Sequence, residues 1–224
     1  MNKLFSKKTG AILFLLNAAV YLTTEFIAAI GTGYPLKDVY LYNFISSLGV
    51  YPNDFVKDIP QGFSPLAWVM NFGFIFTGLV FFLAYYLLIF QIVKKDNKAF
   101  SYILLLISIT FMSGSILVGL FQGGVPSEDG LHGLGARLSF LAGNSTLILS
   151  GLAIRDKDLK KYKIISLVLG IFGICSAFGM QNAINNHNQL LMVVFERLTV
   201  YPITLWQIIT GLIFLRKYKN TNNK

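Results

Sequence analysis

Four ionisable residues fall inside or at the edge of apolar stretches: Glu25, Arg137, Glu196 and Arg197. A charge at mid-helix in a bilayer costs about 2.5–3.5 kcal/mol on insertion scales, so each needs a partner or a task. Glu25 lies 17 positions after Lys8, roughly 25 Å along a helix, which places it near the far boundary of the hydrocarbon. Arg137 opens a later apolar stretch from that same side, and Glu196 and Arg197 sit about a turn inside the last one. Two acids and two bases at one depth make a neutral ionic layer, with Glu25 pairing to Arg137 or Arg197. The functional reading is the polar floor of an outward-open pocket. Arg137 and Arg197 would hold an anionic headgroup by forked hydrogen bonds, Glu25 and Glu196 would orient them, and Asn71 and Asn144 would line the wall below. The structural alternative is a set of interhelical ion pairs with snorkelling at the interface. His132, in a Gly-rich loop, could act as a base, a pH sensor or an anchor; His187 reads as exposed.

The rest of the catalytic inventory is sparse. There is no His-Glu-x-x-His, no Cys pair and no close carboxylate pair, so metal chemistry is not expected. No motif calls for a cofactor. Ser64 and Ser139 have no adjacent base, and Gly31-Thr32-Gly33 lacks the context of a phosphate loop. Cys175, the lone cysteine, reads as a small buried core residue.

The elements that must position these groups are apolar stretches at about 10–31, 65–93, 99–121, 135–154, 164–184 and 191–215. Each is long enough to span a bilayer, which takes about 20 residues as a helix. With 54% hydrophobic residues and a mean hydropathy of +0.62, little remains for a soluble domain. One all-α membrane domain of six helices is therefore expected over 1–224. The net charge of +9 does not point to nucleic acid, because its distribution is polar. Fifteen of the 19 basic residues fall at the termini and in alternate connections, leaving Lys37, Lys57, Arg137 and Arg197 for the others. The positive-inside rule then places both termini in the cytoplasm. The basic clusters could also touch anionic lipid. Lys7 and Lys8 followed by an apolar run resemble a signal peptide, but the run continues past Glu25 without a clean cleavage site. It reads as a retained first helix.

Between the first two helices lies an outer loop, 32–64, punctuated by Tyr34-Pro35, Ser46-Ser47-Leu48-Gly49, Tyr51-Pro52-Asn53-Asp54 and Ile59-Pro60-Gln61-Gly62. It is a candidate lid, or a segment that only covers helix ends. A short tail after the last helix should fray. The inward helices share a pattern at seven-residue spacing: Ser64, Asn71, Gly78; Arg137, Asn144, Gly151; Arg197, Thr204, Gly211. Two turns nearly restore one face, which suggests repeated hairpins. Gly114, Gly119, Gly170, Gly173 and Gly179 would allow close packing, and Pro202 would kink the last helix.

An ordered set of short motifs runs along nearly the whole chain. Ser46-Ser47-Leu48-Gly49 is followed by Ser64-Pro65 and Asn71-Phe72-Gly73, then Gly119-Leu120-Phe121. His132-Gly133-Leu134-Gly135-Ala136 leads to Ser139-Phe140 and Gly143-Asn144, and Glu196-Arg197-Leu198, Tyr201-Pro202 and Trp206-Gln207 end the pattern. This set resembles the prokaryotic six-helix membrane proteins of domain-of-unknown-function family 998. It is distantly similar to DRAM-like and GPI-remodelling membrane proteins, whose first loop commonly carries an acid where Ser47 stands. The resemblance implies a prokaryotic plasma membrane and, through the distant group, lipid handling; it implies no activity. Three functions stay open. The chain could bind or carry a lipid-like amphiphile. It could be a non-catalytic scaffold for a membrane protein partner. It could be an intramembrane lipid-modifying enzyme using His132 or Glu25 as base.

Overall fold

In hydrocarbon every backbone amide needs an internal partner, and continuous apolar sequence can supply that only as helix. A computed structural model describes residues 3–52, 63–124 and 127–222. Within them the chain is helical, with no strand. Helix α1 (Lys3–Gly31) is followed by a short α2 (Leu36–Tyr42) and a 3-10 turn (Ser46–Gly49). Helix α3 (Ala67–Tyr85) passes through a π turn (Tyr86–Phe90) into α4 (Gln91–Asp96). Then come α5 (Lys98–Leu120), α6 (Asp129–Ala153), α7 (Lys160–Asn185) and α8 (Gln189–Asn222). Five helical segments are long and apolar enough to cross a membrane: Lys7–Gly31, Ala67–Asp96, Lys98–Leu120, Lys157–Asn185 and Gln189–Lys219. This is the build of a multi-pass membrane protein.

The long helices close into a ring in which α1 packs on α3, α3 on α5, α5 on α6, α6 on α7, α7 on α8 and α8 back on α1. Glycines set the close approaches. A Cβ at Gly78 of α3 would meet the Met112 backbone of α5, one at Gly151 of α6 would meet the Lys163 backbone of α7, and one at Gly211 of α8 would meet the Ala11 backbone of α1. The last member of each seven-residue triplet thus abuts the next helix around the ring. The core is divided. Phe14, Phe81, Tyr85, Leu88, Trp206 and Phe214 fill the end near the chain termini. Tyr21, Ala28, Met70, Phe74 and Val118 fill the opposite end. Between the two sits an amide layer, where Asn17 Nδ2 donates to Gln207 Oε1 at 2.7 Å and to the Thr77 carbonyl at 3.2 Å.

Several expectations need correction. The fourth helix begins at Asp129, not near 135. Glu128 accepts from the Gln122 amide at 2.7 Å and Asp129 from the Gly124 amide at 2.9 Å, so two acids tie the incoming chain to the new helix. Gly130, Gly133 and Gly135, which read as loop, are helical; a Cβ at Gly135 would strike the α5 backbone at Gly114. His132 therefore stands on a helix. The last helix continues to Asn222 rather than fraying near 215. The first outer loop is partly ordered by α2 and the 3-10 turn, whose Val39, Ile45 and Leu48 are buried in the outer core. The turns expected between 53 and 62, and Val125-Pro126, lie outside the described residues. Cys175 is exposed, not buried. Helix α7 turns Gly170, Gly173 and Ser176 inward, which leaves Cys175 beside Ile171, Phe172 and Phe178 on the outer surface.

At the terminal end of the bundle, Lys217 of α8 pairs with Asp156 in the α6–α7 connection. The hydrogen bond from Lys217 holds the Asp156 carboxyl below its ordinary value. A depressed folded-state pKa gives stability that is present above the unfolded value, about 3.9, and is lost as pH falls through the folded one. Asp156→Asn should lower the thermal midpoint in detergent at pH 7. The gap to wild type should close below roughly pH 4; a gap independent of pH would show that the pair is not the cause.

Candidate functional site

Glu196 and Arg197 are consecutive on α8, and both are buried. Their side chains diverge by about 100° around the helix yet hold one target, the segment between α2 and the 3-10 turn. Arg197 Nη1 donates to Glu25 Oε1 at 2.7 Å and to the Tyr201 hydroxyl at 2.8 Å. Nη2 donates to the Asn43 carbonyl at 2.9 Å. The Tyr201 hydroxyl in turn donates to Glu25 Oε1 at 2.8 Å. The guanidinium carbon lies 4.8 Å from the centre of the Tyr40 ring, within cation–π range. Burial, with Glu25 nearby, pushes the Tyr40 phenol above its ordinary value. Glu196 accepts from the amides of Ile45 at 2.5 Å and Ser46 at 3.3 Å, satisfying donors at the start of the 3-10 turn. Asn71 of α3 completes the hold by donating to the Gly49 carbonyl at 2.9 Å.

Of the expected ionic layer, Glu25, Glu196 and Arg197 come together and Arg137 does not. Arg137 is exposed, and its Nε donates to the Gly133 carbonyl one turn back at 3.1 Å. Asn144 is buried between helices, donating to the carbonyls of Phe140 at 2.9 Å and Thr199 at 3.0 Å. Gly173 of α7 lies against its side chain. Asn71 and Asn144 thus join elements and line neither cavity described below. His132 Nδ1 lies 2.8 Å from the Phe121 carbonyl. A carbonyl only accepts, so Nδ1 carries a proton in this contact. His187 takes a left-handed conformation, φ 53°, just after the C-cap of α7. The amide of Asn188 reaches the Ala183 carbonyl there at 2.9 Å, in a Schellman-type close.

A cavity of about 730 Å³ opens beside this lock. Its polar wall carries Ser46, Ser47, His132, Arg137, Gln181 and Glu196. Its apolar wall is formed by Phe140, Leu141, Ala177, Phe178 and Ile184 of α6 and α7. The reason it opens there is local. Toward the terminal end, Gly151 and Gly170 bring α6 and α7 backbone to backbone. Near Phe140 and Phe178 large side chains take over, and Leu141, Phe178 and Ile184 are exposed on the outer surface. A second, narrow cavity of about 50 Å³ lies in the centre of the ring. Ser46, Ala136, Phe140 and Glu196 line both.

The family comparison fits this chain-long pattern: residues 18–213 match the family described as Protein of unknown function (DUF998). The chain belongs to that family. No curated protein and no solved structure matches it.

Residue reasoning missed three members of the site and the amide pair below it. Asn43 and Tyr40 lie in the outer loop, where nothing in their types marks a contact. Tyr201 was visible as the residue four positions after Arg197, the spacing of facing side chains on a helix. Asn17 and Gln207 were findable from depth. Asn17 lies eight residues before Glu25, and Gln207 ten after Arg197 on an antiparallel helix. Two buried amides at similar depth in hydrocarbon are expected to pair.

The two arginines should therefore behave oppositely. Arg197→Ala leaves Glu25 buried without its cation and should destabilise by about 3–5 kcal/mol, or prevent folding. Arg137→Ala should stay within about 0.5 kcal/mol of wild type. Thermal unfolding in detergent distinguishes them; equal losses would contradict the assignment.

Proposed function

We propose that the chain binds a lipid-like amphiphile with an anionic head in the 730 Å³ cavity. The observation that carries this reading is the cavity's two-sided chemistry. One wall presents Arg137, His132 and serine hydroxyls, beside the carboxylates of Asp129 and Glu196, which already accept from backbone amides; the other is apolar and continuous with side chains exposed on the outer surface of α6 and α7. An amphiphile with its tail in lipid could enter sideways, while its head exchanges water for the Arg137 fork. Arg197 is not assigned to the head, because both of its terminal nitrogens already donate to Glu25, Tyr201 and Asn43. Its task is to hold the loop that forms part of the polar wall.

Orientation follows from charge. In this reading α6 is a sixth crossing, less apolar than the others because its Gly, Ser and Asn positions face partners. Both termini lie in the cytoplasm, where the basic clusters gather, and the cavity faces the outer leaflet.

Native mass spectrometry after gentle extraction tests the reading. Wild type should retain an anionic amphiphile. Arg137→Ala, by losing a charge-assisted contact, should reduce occupancy about tenfold. Ala177→Trp, which fills the apolar wall, should expel the ligand at an unchanged thermal midpoint. Equal occupancy in all three proteins, or no anionic amphiphile retained from any lipid mixture, would overturn it.

A further inference from the structure

The central cavity is set apart from the outer one by its chemistry and its width. It lies where the two halves of the core meet, lined by Tyr21, Phe74, Val118, Phe111, Val200 and Ile203, and its free surface is almost wholly apolar. Ile45 and Ser46, held down by Glu196, form its roof. Gln207 and Thr77 lie at its other end, beside the amide layer. From Glu196 to Gln207 is eleven residues of α8, roughly 16 Å of depth. Two of the hydroxyls on its walls turn to backbone: Ser115 donates to the Phe74 carbonyl at 2.7 Å, and Ser139 to the Ala136 carbonyl at 3.0 Å. Thr77 Oγ1 has no partner, too little to hold a polar ligand in a space this apolar.

Resting on the amphiphile reading above, we infer that this central cavity is a tail site: it takes the end of one alkyl chain, threaded inward from the outer cavity past Ser46, Ala136, Phe140 and Glu196. These four residues line both cavities, so the two are neighbours and the chain would cross between them there. A volume of about 50 Å³ leaves room for the end of one chain and not for a hydrated head. The Glu196 carboxylate at the threshold repels an anionic head and keeps it at the level of Arg137. The ligand class is then an anionic amphiphile with a long unbranched chain, selected by length. In a bilayer the chain gains no hydrophobic transfer energy, since lipid is equally apolar. The selection arises because an unfilled void leaves its walls without dispersion partners.

The test uses decyl and hexadecyl phosphate, equimolar, in phosphatidylcholine nanodiscs carrying the full chain, with bound ligand read by native mass spectrometry. Wild type should enrich hexadecyl over decyl phosphate at least threefold relative to the bilayer. Val200→Phe, which fills the central cavity, should bring the ratio to one while decyl phosphate still binds. Thr204→Leu fills the cavity from α8 near Gln207 and serves if Val200→Phe does not fold at the wild-type midpoint. Arg137→Ala should weaken both probes equally and leave the ratio unchanged. If both probes bind and respond to Arg137→Ala, but the ratio is one in wild type or survives both filling variants, the tail site is wrong and the outer-cavity reading stands. If neither probe binds wild type, the outer-cavity reading fails and the tail site with it.

Discussion

A buried guanidinium in an apolar bundle governs the outer half of this molecule. Burying either charge alone is costly, and the contact between Arg197 and Glu25 offsets that cost for both. Their 2.7 Å contact joins α1 to α8, the first and last helices of the ring, and so closes it at the level where the bundle meets the outer loop. Nη2 of Arg197 and both oxygens of Glu196 then reach the 43–46 segment. A single turn of α8 thereby fixes ring closure and loop position together. The loop's own apolar residues, Val39, Ile45 and Leu48, add burial that a solvated loop would lack.

Deeper in the bundle the constraint changes from charge to shape. Without a hydrophobic drive between helices in lipid, packing density and a few shared hydrogen bonds decide the arrangement. Gly78, Gly151 and Gly211 let three helix pairs approach to backbone contact at the terminal end. Tyr85 with Ser150 and Tyr162 with Thr210 cross-link the same half, and Asn17 with Gln207 lies at its border. Trp206, at the centre of the aromatic cluster, donates to Ser166 at 2.8 Å. The tight end and the open end thus have different sequence causes. Small residues and paired polar groups close one. Phe140, Phe178 and a loop roof leave cavities in the other. Pro202 sits between them on α8 and leaves the Leu198 carbonyl without its helical donor, at the level where the packing changes.

The all-helical membrane architecture was legible because hydrophobic length is a strong local signal. The pairing of Glu25 with Arg197 was legible as one of two options, since depth can be counted along helices. Which arginine wins depends on rotation about the helix axis. Arg137 points outward because Gly135 and Ser139 of α6 take the face against Gly114 of α5, and that is a fact of packing that spacing does not contain. Helix α6 was cut short because its glycines read as turns, whereas tertiary contact overrides that propensity. The exposure of Cys175 was missed for the reason opposite to Arg137: an apolar residue gives no sign of which way it faces when lipid and core are equally apolar. Of the glycines read as allowing close packing, Gly114, Gly119 and Gly170 do meet the backbone of a neighbouring helix, because only the absence of a Cβ permits it.

The central claim is that Glu196 and Arg197 hold the 43–46 segment against the bundle, and amide hydrogen exchange at Ile45 and Ser46 tests it most directly. In wild type both amides should be protected well beyond an exposed loop, since they donate to a buried carboxylate. In Glu196→Ala that protection should vanish, while amides in the core of α3 and α5 keep theirs. Fast exchange of Ile45 and Ser46 in the wild-type protein, or protection that survives Glu196→Ala, would contradict the lock and everything that rests on the roof it holds.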